Sequence, residues 1–262
     1  MTEAATVDMG TTEREALGRL VASLADNKAA LGRRYGEWAV SAPTLESAVA
    51  AAAMAQDELG HARATYPLLK QLGVPVREDE DRLELGDCLP LLAHELPSWT
   101  TFVAVNLVVD GMLTAFVRAA RDSAFVPLAK RARKILQEEG SHAVHARAWA
   151  RRLARDQLHR EEFAGELRRA WEQASTWPDD PGFPALTAAG VVDATPNSLR
   201  DDVLDLLDEA LPQPTPPDCP ECSSSGQVTL VSRFGGQIIT AQWRCEGCNS
   251  YFEAVREEFA GT

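Results

Sequence analysis

From about Thr12 to Leu158 the apolar residues recur at helical spacing, and Ala, Leu, Arg and Glu dominate with few breakers. The breaks fall at Ser41-Ala42-Pro43, at Gly73 to Pro75, through Pro90 to Pro97 and near Asp122-Ser123. They predict four long helices, over roughly 12–40, 45–71, 97–121 and 124–156. Short turns after the first and third make each pair antiparallel neighbours, so the expected fold is an all-α four-helix bundle. A fifth helix is expected over about 159–175, then a Pro/Gly-rich loop (TWPDDPGFPAL) and a short helix near 198–210. Leu211-Pro-Gln-Pro-Thr-Pro-Pro217 reads as a stiff extended linker. Beyond it Val228-Thr-Leu-Val-Ser and Gln237-Ile-Ile-Thr-Ala-Gln-Trp have strand character, with Gly235-Gly236 as the turn between them. The expected division is a bundle over 1–210, a linker over 211–218 and a separate small β module over 219–262.

Composition narrows the setting. A chain of 262 residues with 45% hydrophobic and 25% charged positions suits one sizeable domain plus a small appended one. A formal net charge of −13 argues against nucleic acid or an anionic membrane surface as principal partner. The opening MTEAATVDMG has neither the basic nor the apolar part of a signal peptide, and runs such as Phe102–Asp110 are too short to span a bilayer. Four of the five cysteines form CxxC pairs and Cys88 stands alone, a metal pattern of a reducing compartment. A cytoplasmic protein is expected.

Candidate chemistry begins with two Glu-x-x-His motifs, Glu58-Leu-Gly-His61 and Glu139-Gly-Ser-His142, on the second and fourth helices. Residues three apart share a helix face, so each motif presents a carboxylate and an imidazole in one direction. Ferritin-like di-metal proteins use two such motifs plus one carboxylate from each remaining helix. Antiparallel geometry puts the level of Glu139 near residue 107 on the third helix, where Asp110 stands in the apolar run Val105 to Leu113. A carboxylate there is costly unless its charge is compensated. On the first helix the level of Glu58 is near residue 28, which is Lys28, flanked by Asp26 and Asn27. Glu37 lies nearer the turn, roughly 13 Å too high along the axis at 1.5 Å per residue, and is expected at the bundle end. A protonated Lys cannot ligate a cation but can replace one metal's charge beside Glu58 or Asp110. An altered two-metal site, a one-metal site and a metal-free salt-bridged relic all remain open.

Trp38-Ala-Val-Ser-Ala-Pro-Thr-Leu45 followed by Gln56-Asp-Glu-Leu-Gly-His61, with Val109-Asp110-Gly111 and Glu138-Glu-Gly-Ser-His142, resembles the catalytic subunit of bacterial phenylacetyl-CoA epoxidase. That family adds one oxygen atom of O2 to an aromatic ring carried as a CoA thioester. The resemblance implies Glu58, His61, Asp110, Glu139 and His142 as iron ligands, and puts Lys28 where the family's first-helix glutamate falls. Leu24-Ala-Asp-Asn27, Tyr35-Gly-Glu-Trp38, His145 to Leu153 and the tail from Ala189 to Leu211 are instead similar to the complex's non-catalytic partner subunit, which has lost its metal ligands.

Cys219-Pro-Glu-Cys222 and Cys245-Glu-Gly-Cys248 bring four thiolates onto two knuckles, suited to tetrahedral zinc or a single iron. Ser223 and Asn249 stand where a rubredoxin knuckle typically has glycine, which favours zinc. Phe234-Gly-Gly-Gln and Trp243-Arg-Cys to Phe252 are similar to the zinc ribbon ending a small maturation protein of the phenylacetate operon. His94, His145 and His159 lack a carboxylate at ligand spacing and read as structural, with His145 one turn from His142. The arginines from Arg147 to Arg155 read as a solvated face that would also suit CoA phosphates.

No flavin or nicotinamide fingerprint occurs, so electrons for O2 would come from an external reductase. The leading expectation is therefore a non-haem iron monooxygenase component holding one or two irons. It would act with a reductase and sister subunits, as an oligomer, on an organic acid or acyl-CoA, aromatic by the resemblance. The alternatives are a non-catalytic partner or assembly subunit whose site Lys28 neutralises, and a rubrerythrin-like peroxidase.

Overall fold

A computed structural model describes residues 9–74 and 88–261. Pro75 and most of the N-terminal stretch read for a leader lie outside the described residues. The first two helices are α1 (Thr11–Trp38) and α2 (Leu45–Thr65), which pack along each other. Their contact is close at Gly32, where a Cβ would lie 2.7 Å from Leu59 Cγ. Thr44 opens α2 by accepting the Ser47 amide, satisfying one of the free N–H groups at a helix start. The second predicted helix is two: it ends at Thr65 and a short α3 (Pro67–Gln71) follows, because Pro67 has no N–H to continue the ladder.

The third predicted helix is also interrupted. Ser98 caps α4 (Trp99–Val105), Asn106–Asp110 forms one π-helical turn, and α5 (Gly111–Ala119) completes the span. The stretch Trp99–Ala119 is long and apolar enough to cross a membrane, but 89% of its apolar window is buried inside the bundle. It is the central core helix. α6 (Val126–Arg155) closes the four-helix arrangement, and α7 (Arg160–Ala174) packs on α4 and α6. Part of the expected Pro/Gly-rich loop is a short α8 (Phe183–Ala188), held by burial of Phe183 and Leu186, with Pro184 tolerated in its first turn. α9 (Pro196–Ala210) starts at a Thr195–Ser198 capping box and packs on α5 and α6.

The C-terminal module is a three-stranded antiparallel sheet of β1 (Val228–Ser232), β2 (Thr240–Cys245) and β3 (Tyr251–Val255), in the order β1-β2-β3. β3 goes beyond the two strands expected. β2 begins later than its apolar run, because Ile238 and Ile239 leave the sheet and join the apolar cluster of the helices. Phe259 joins the same cluster from a 3₁₀ turn (Glu257–Phe259) lying against α6 and α7. Arg256, 1% exposed, donates to the Pro212 carbonyl and to Glu258 at 2.6 Å, with its guanidinium 5.5 Å over the Phe234 ring. Arg233 pairs with Asp208 of α9. The Pro-rich segment thus does not hold the ribbon clear of the bundle as expected, since apolar side chains on both sides bury one another.

Candidate metal centre

The helical period turns Glu58 and His61 of α2, and Glu139 and His142 of α6, to the bundle axis, and all four are buried. The π turn supplies Asp110, and α1 supplies Lys28, 0% exposed. Ligand atoms of Glu58, Asp110, Glu139 and His142 lie within 4.8 Å of one another. His61 stands at the edge of this group, its Nδ1 3.4 Å from Glu139 and 3.7 Å from Glu58. Glu37 is at the bundle end, paired with Arg34 at 2.9 Å. Asp26 accepts from the Tyr66 hydroxyl at 2.7 Å, and Asn27 accepts the Leu89 amide at 2.8 Å.

Lys28 occupies the middle of the carboxylates. Its Nζ is 2.5 Å from Glu139, 2.6 Å from Asp110 and 3.0 Å from Glu58. Burial works against its charge, but Asp110, Glu139 and Glu58 outweigh that and hold its pKa well above the usual lysine value. Glu58 feels the converse: burial and Asp110 push it up, while Lys28, His142 and His61 pull it below the ordinary carboxylate value.

Burial likewise opposes charge on the imidazoles, yet the neighbouring Glu139 and Glu58 carboxylates raise His61 to about 9, and those of Asp110 and Glu58 raise His142 to about 11. The Lys28 ammonium and the two raised imidazoles thus lie among the carboxylates of Glu58, Asp110 and Glu139.

Four more residues, absent from the expected site, complete it. His61 Nε2 donates to Glu138 on α6 at 2.8 Å, and His142 Nε2 donates to Asp57 on α2 at 3.2 Å. The acid preceding each Glu-x-x-His motif thus orients the other motif's imidazole, leaving both Nδ1 atoms facing the axis. The repeated acid-Glu-x-x-His order was the available signal. Tyr35 donates to Asp110 at 3.4 Å, and Asn106 donates to Tyr35 at 2.9 Å and to Asp110 at 3.3 Å. Burial, then Asp110 and Glu58, hold the Tyr35 phenol well above its usual pKa, so it stays a donor.

Inward-facing imidazoles with carboxylates are the donor set of a ferritin-like metal site, and the buried His61 Nδ1 makes no well-formed hydrogen bond among the described residues, its nearest carboxylates being Glu139 at 3.4 Å and Glu58 at 3.7 Å. A two-metal centre nevertheless does not fit around Lys28 as it stands. Its ammonium pairs with the oxygens of Glu58, Asp110 and Glu139 that would have to ligate, and would repel a cation a few ångströms away.

A crevice of about 80 Å³ between α5, α6 and α9 reaches Asp110, Glu139 and His142, with Arg118, Arg147 and Asp202 at its mouth. That is room for a handful of waters. Among the other candidates, His145 sets its ring edge-on to Trp99 and Phe102, 5.9 and 6.3 Å between centroids. His94 is exposed, and His159 pairs with Asp156. Arg147 and Arg151 bond to Glu209 of α9, and Arg152 lies over Trp149.

The second site is in the ribbon. Cys219 and Cys248 Sγ are 3.6 Å apart, as are Cys222 and Cys245 Sγ, and all four sulfurs lie within 4.8 Å. Tetrahedral zinc with Zn–S near 2.3 Å needs sulfurs about 3.8 Å apart, so the set fits. The Ser224 and Ser250 hydroxyls each lie against two of the sulfurs, 2.8 to 3.5 Å away. The Ser224 hydroxyl, with the Cys248 backbone, lowers Cys245 to about 6, favouring the thiolate that ligates. Ser223 and Asn249, the residues after each knuckle, have φ of 56° and 60°, the left-handed conformation glycine usually supplies.

None of the curated proteins compared with the chain matches it. Residues 208–256 match the PaaD zinc beta ribbon domain, and residues 1–227 match the model of the phenylacetic acid catabolic protein family. That second match spans most of the chain and takes in the whole charge cluster, so the chain belongs to the phenylacetic acid catabolic protein family, with a zinc ribbon at its C-terminal end.

Proposed function

We propose that this chain is a ferritin-like subunit of an aromatic-acid oxygenase system, serving there as a partner or assembly subunit rather than as the oxygen-activating one. The observation that carries this reading is Lys28, whose ammonium pairs at 2.5 to 3.0 Å with three buried carboxylates that a metal centre would need as ligands. In such a system the reductase delivers electrons to a sister subunit with a complete ligand set, and this bundle supplies structure. Zinc on Cys219, Cys222, Cys245 and Cys248 stabilises the ribbon.

A second reading has its own support. Both imidazoles keep Nδ1 inward, oriented by Asp57 and Glu138, and the π turn carries Asp110. In that reading Glu58, His61, Asp110, Glu139 and His142 hold iron, which would supply O2 activation, and Lys28 must leave the carboxylates.

Metal analysis of the purified chain and O2 uptake separate the two. One zinc per chain, no stoichiometric iron, and no substrate-dependent O2 uptake with a reductase and an aryl acid or aryl-CoA is the expected result. Two irons per bundle with substrate-dependent O2 uptake would overturn the partner reading.

A further inference from the structure

The ribbon's zinc site and its contact with the bundle lie at opposite ends of one hairpin. β2 runs from Thr240 to Cys245, the second knuckle follows through Cys248, and β3 returns from Tyr251 to Val255. Immediately before β2 stand Ile238 and Ile239, 3% and 8% exposed. Immediately after β3 come Arg256 and the turn ending in Phe259, 4% exposed. These three apolar residues belong to the core of the helices, not to the ribbon's own cluster of Cys219, Val228, Ala241, Trp243 and Cys245. The Arg256 amide donates to the Ile239 carbonyl at 2.9 Å, tying the two docking segments together. The buried guanidinium adds the Pro212 carbonyl, fixing the start of the linker where it leaves α9.

A hairpin with so few apolar residues of its own is marginal without a staple. The bundle-side contacts need both strands in register, and the knuckle that sets the register is the one closed by metal. We propose that the ribbon is a zinc-dependent lock on the bundle. Zinc on the four thiolates holds β2 and β3 so that Ile238, Ile239 and Phe259 cover the helices, and loss of zinc undocks the tail and uncovers apolar surface on α6 and α7.

The test uses the full chain before and after zinc removal by a chelator. Zinc-free protein should bind an apolar dye, be cleaved by protease between residues 211 and 227, and lose helical signal at a temperature lower by on the order of 10 °C. Added zinc should reverse all three changes. Ile239→Asp in the zinc-loaded chain should give dye binding and cleavage while keeping one zinc per chain, because the thiolates and their hydroxyl donors lie within the ribbon itself. Zinc-free protein that melts like the loaded form and binds no dye, or an Ile239→Asp chain as protected as the parent, would overturn the lock.

Discussion

Removing the charge of Lys28 while keeping its bulk isolates its role. Lys28→Met preserves the unbranched chain, so the loss is the ammonium and not the packing. Three carboxylates, none more than 4% exposed, then face only two imidazolium groups. Removing one partner of a buried pair costs about 3–5 kcal/mol, since the remaining charge has lost both water and its counter-ion. At roughly 2–4 °C per kcal/mol for a chain of this size, the melting temperature should fall by on the order of 10 °C.

Lys28→Glu goes further by completing a six-residue donor set. That variant should be unstable alone and regain stability with manganese or ferrous ion, by about 2.7 kcal/mol at a hundredfold excess over Kd. Calorimetric melts across a metal titration, with bound metal measured after dialysis, give both quantities. The unmodified chain should show no bundle-metal effect. A Lys28→Met chain that melts like the parent, or an unmodified bundle that retains two metals, would refute the reasoning.

The imidazoles set a pH dependence. Their folded pKa values of about 9 for His61 and about 11 for His142 lie above the unfolded value near 6.5, so their contribution is complete below that value. Stability should decline as pH rises through 9 and onward to 11, as thermal melts from pH 6 to 10.5 would show, and His142→Gln should flatten the upper part. Asp57→Asn should lower the His142 pKa, and Glu138→Gln that of His61, each followed by imidazole NMR titration; unmoved values would remove these acids from the site. In the ribbon, Ser223→Gly should relieve the left-handed strain and slow zinc loss to a chelator, stabilising by about 1 kcal/mol, with zinc content unchanged.

The helices and their breaks were legible because 3.6-residue periodicity and Pro, Gly and Asp-Ser signals act locally. The level of Lys28 could be read too: antiparallel helices rise at 1.5 Å per residue, so distance from a turn fixes height along the bundle. The CxxC pairs carried their own geometry, since two knuckles of adjacent thiolates have few other uses. Rotation and register across elements were not legible, because no local rule sets which residue meets which between two helices. Hence Asp57 meeting His142, and Glu138 meeting His61, emerged only with α2 and α6 in place. The π turn at Asp110 and the short α8 followed tertiary demands, one aiming a carboxylate and the other burying Phe183 and Leu186. Ile238 and Ile239 read as strand because their apolar run is continuous with β2, yet the bundle's exposed core captured them. Charge states were decided last, since the raised Lys28, His61 and His142 arise only when burial and six side chains from α1, α2, the π turn and α6 act on one another at a few ångströms.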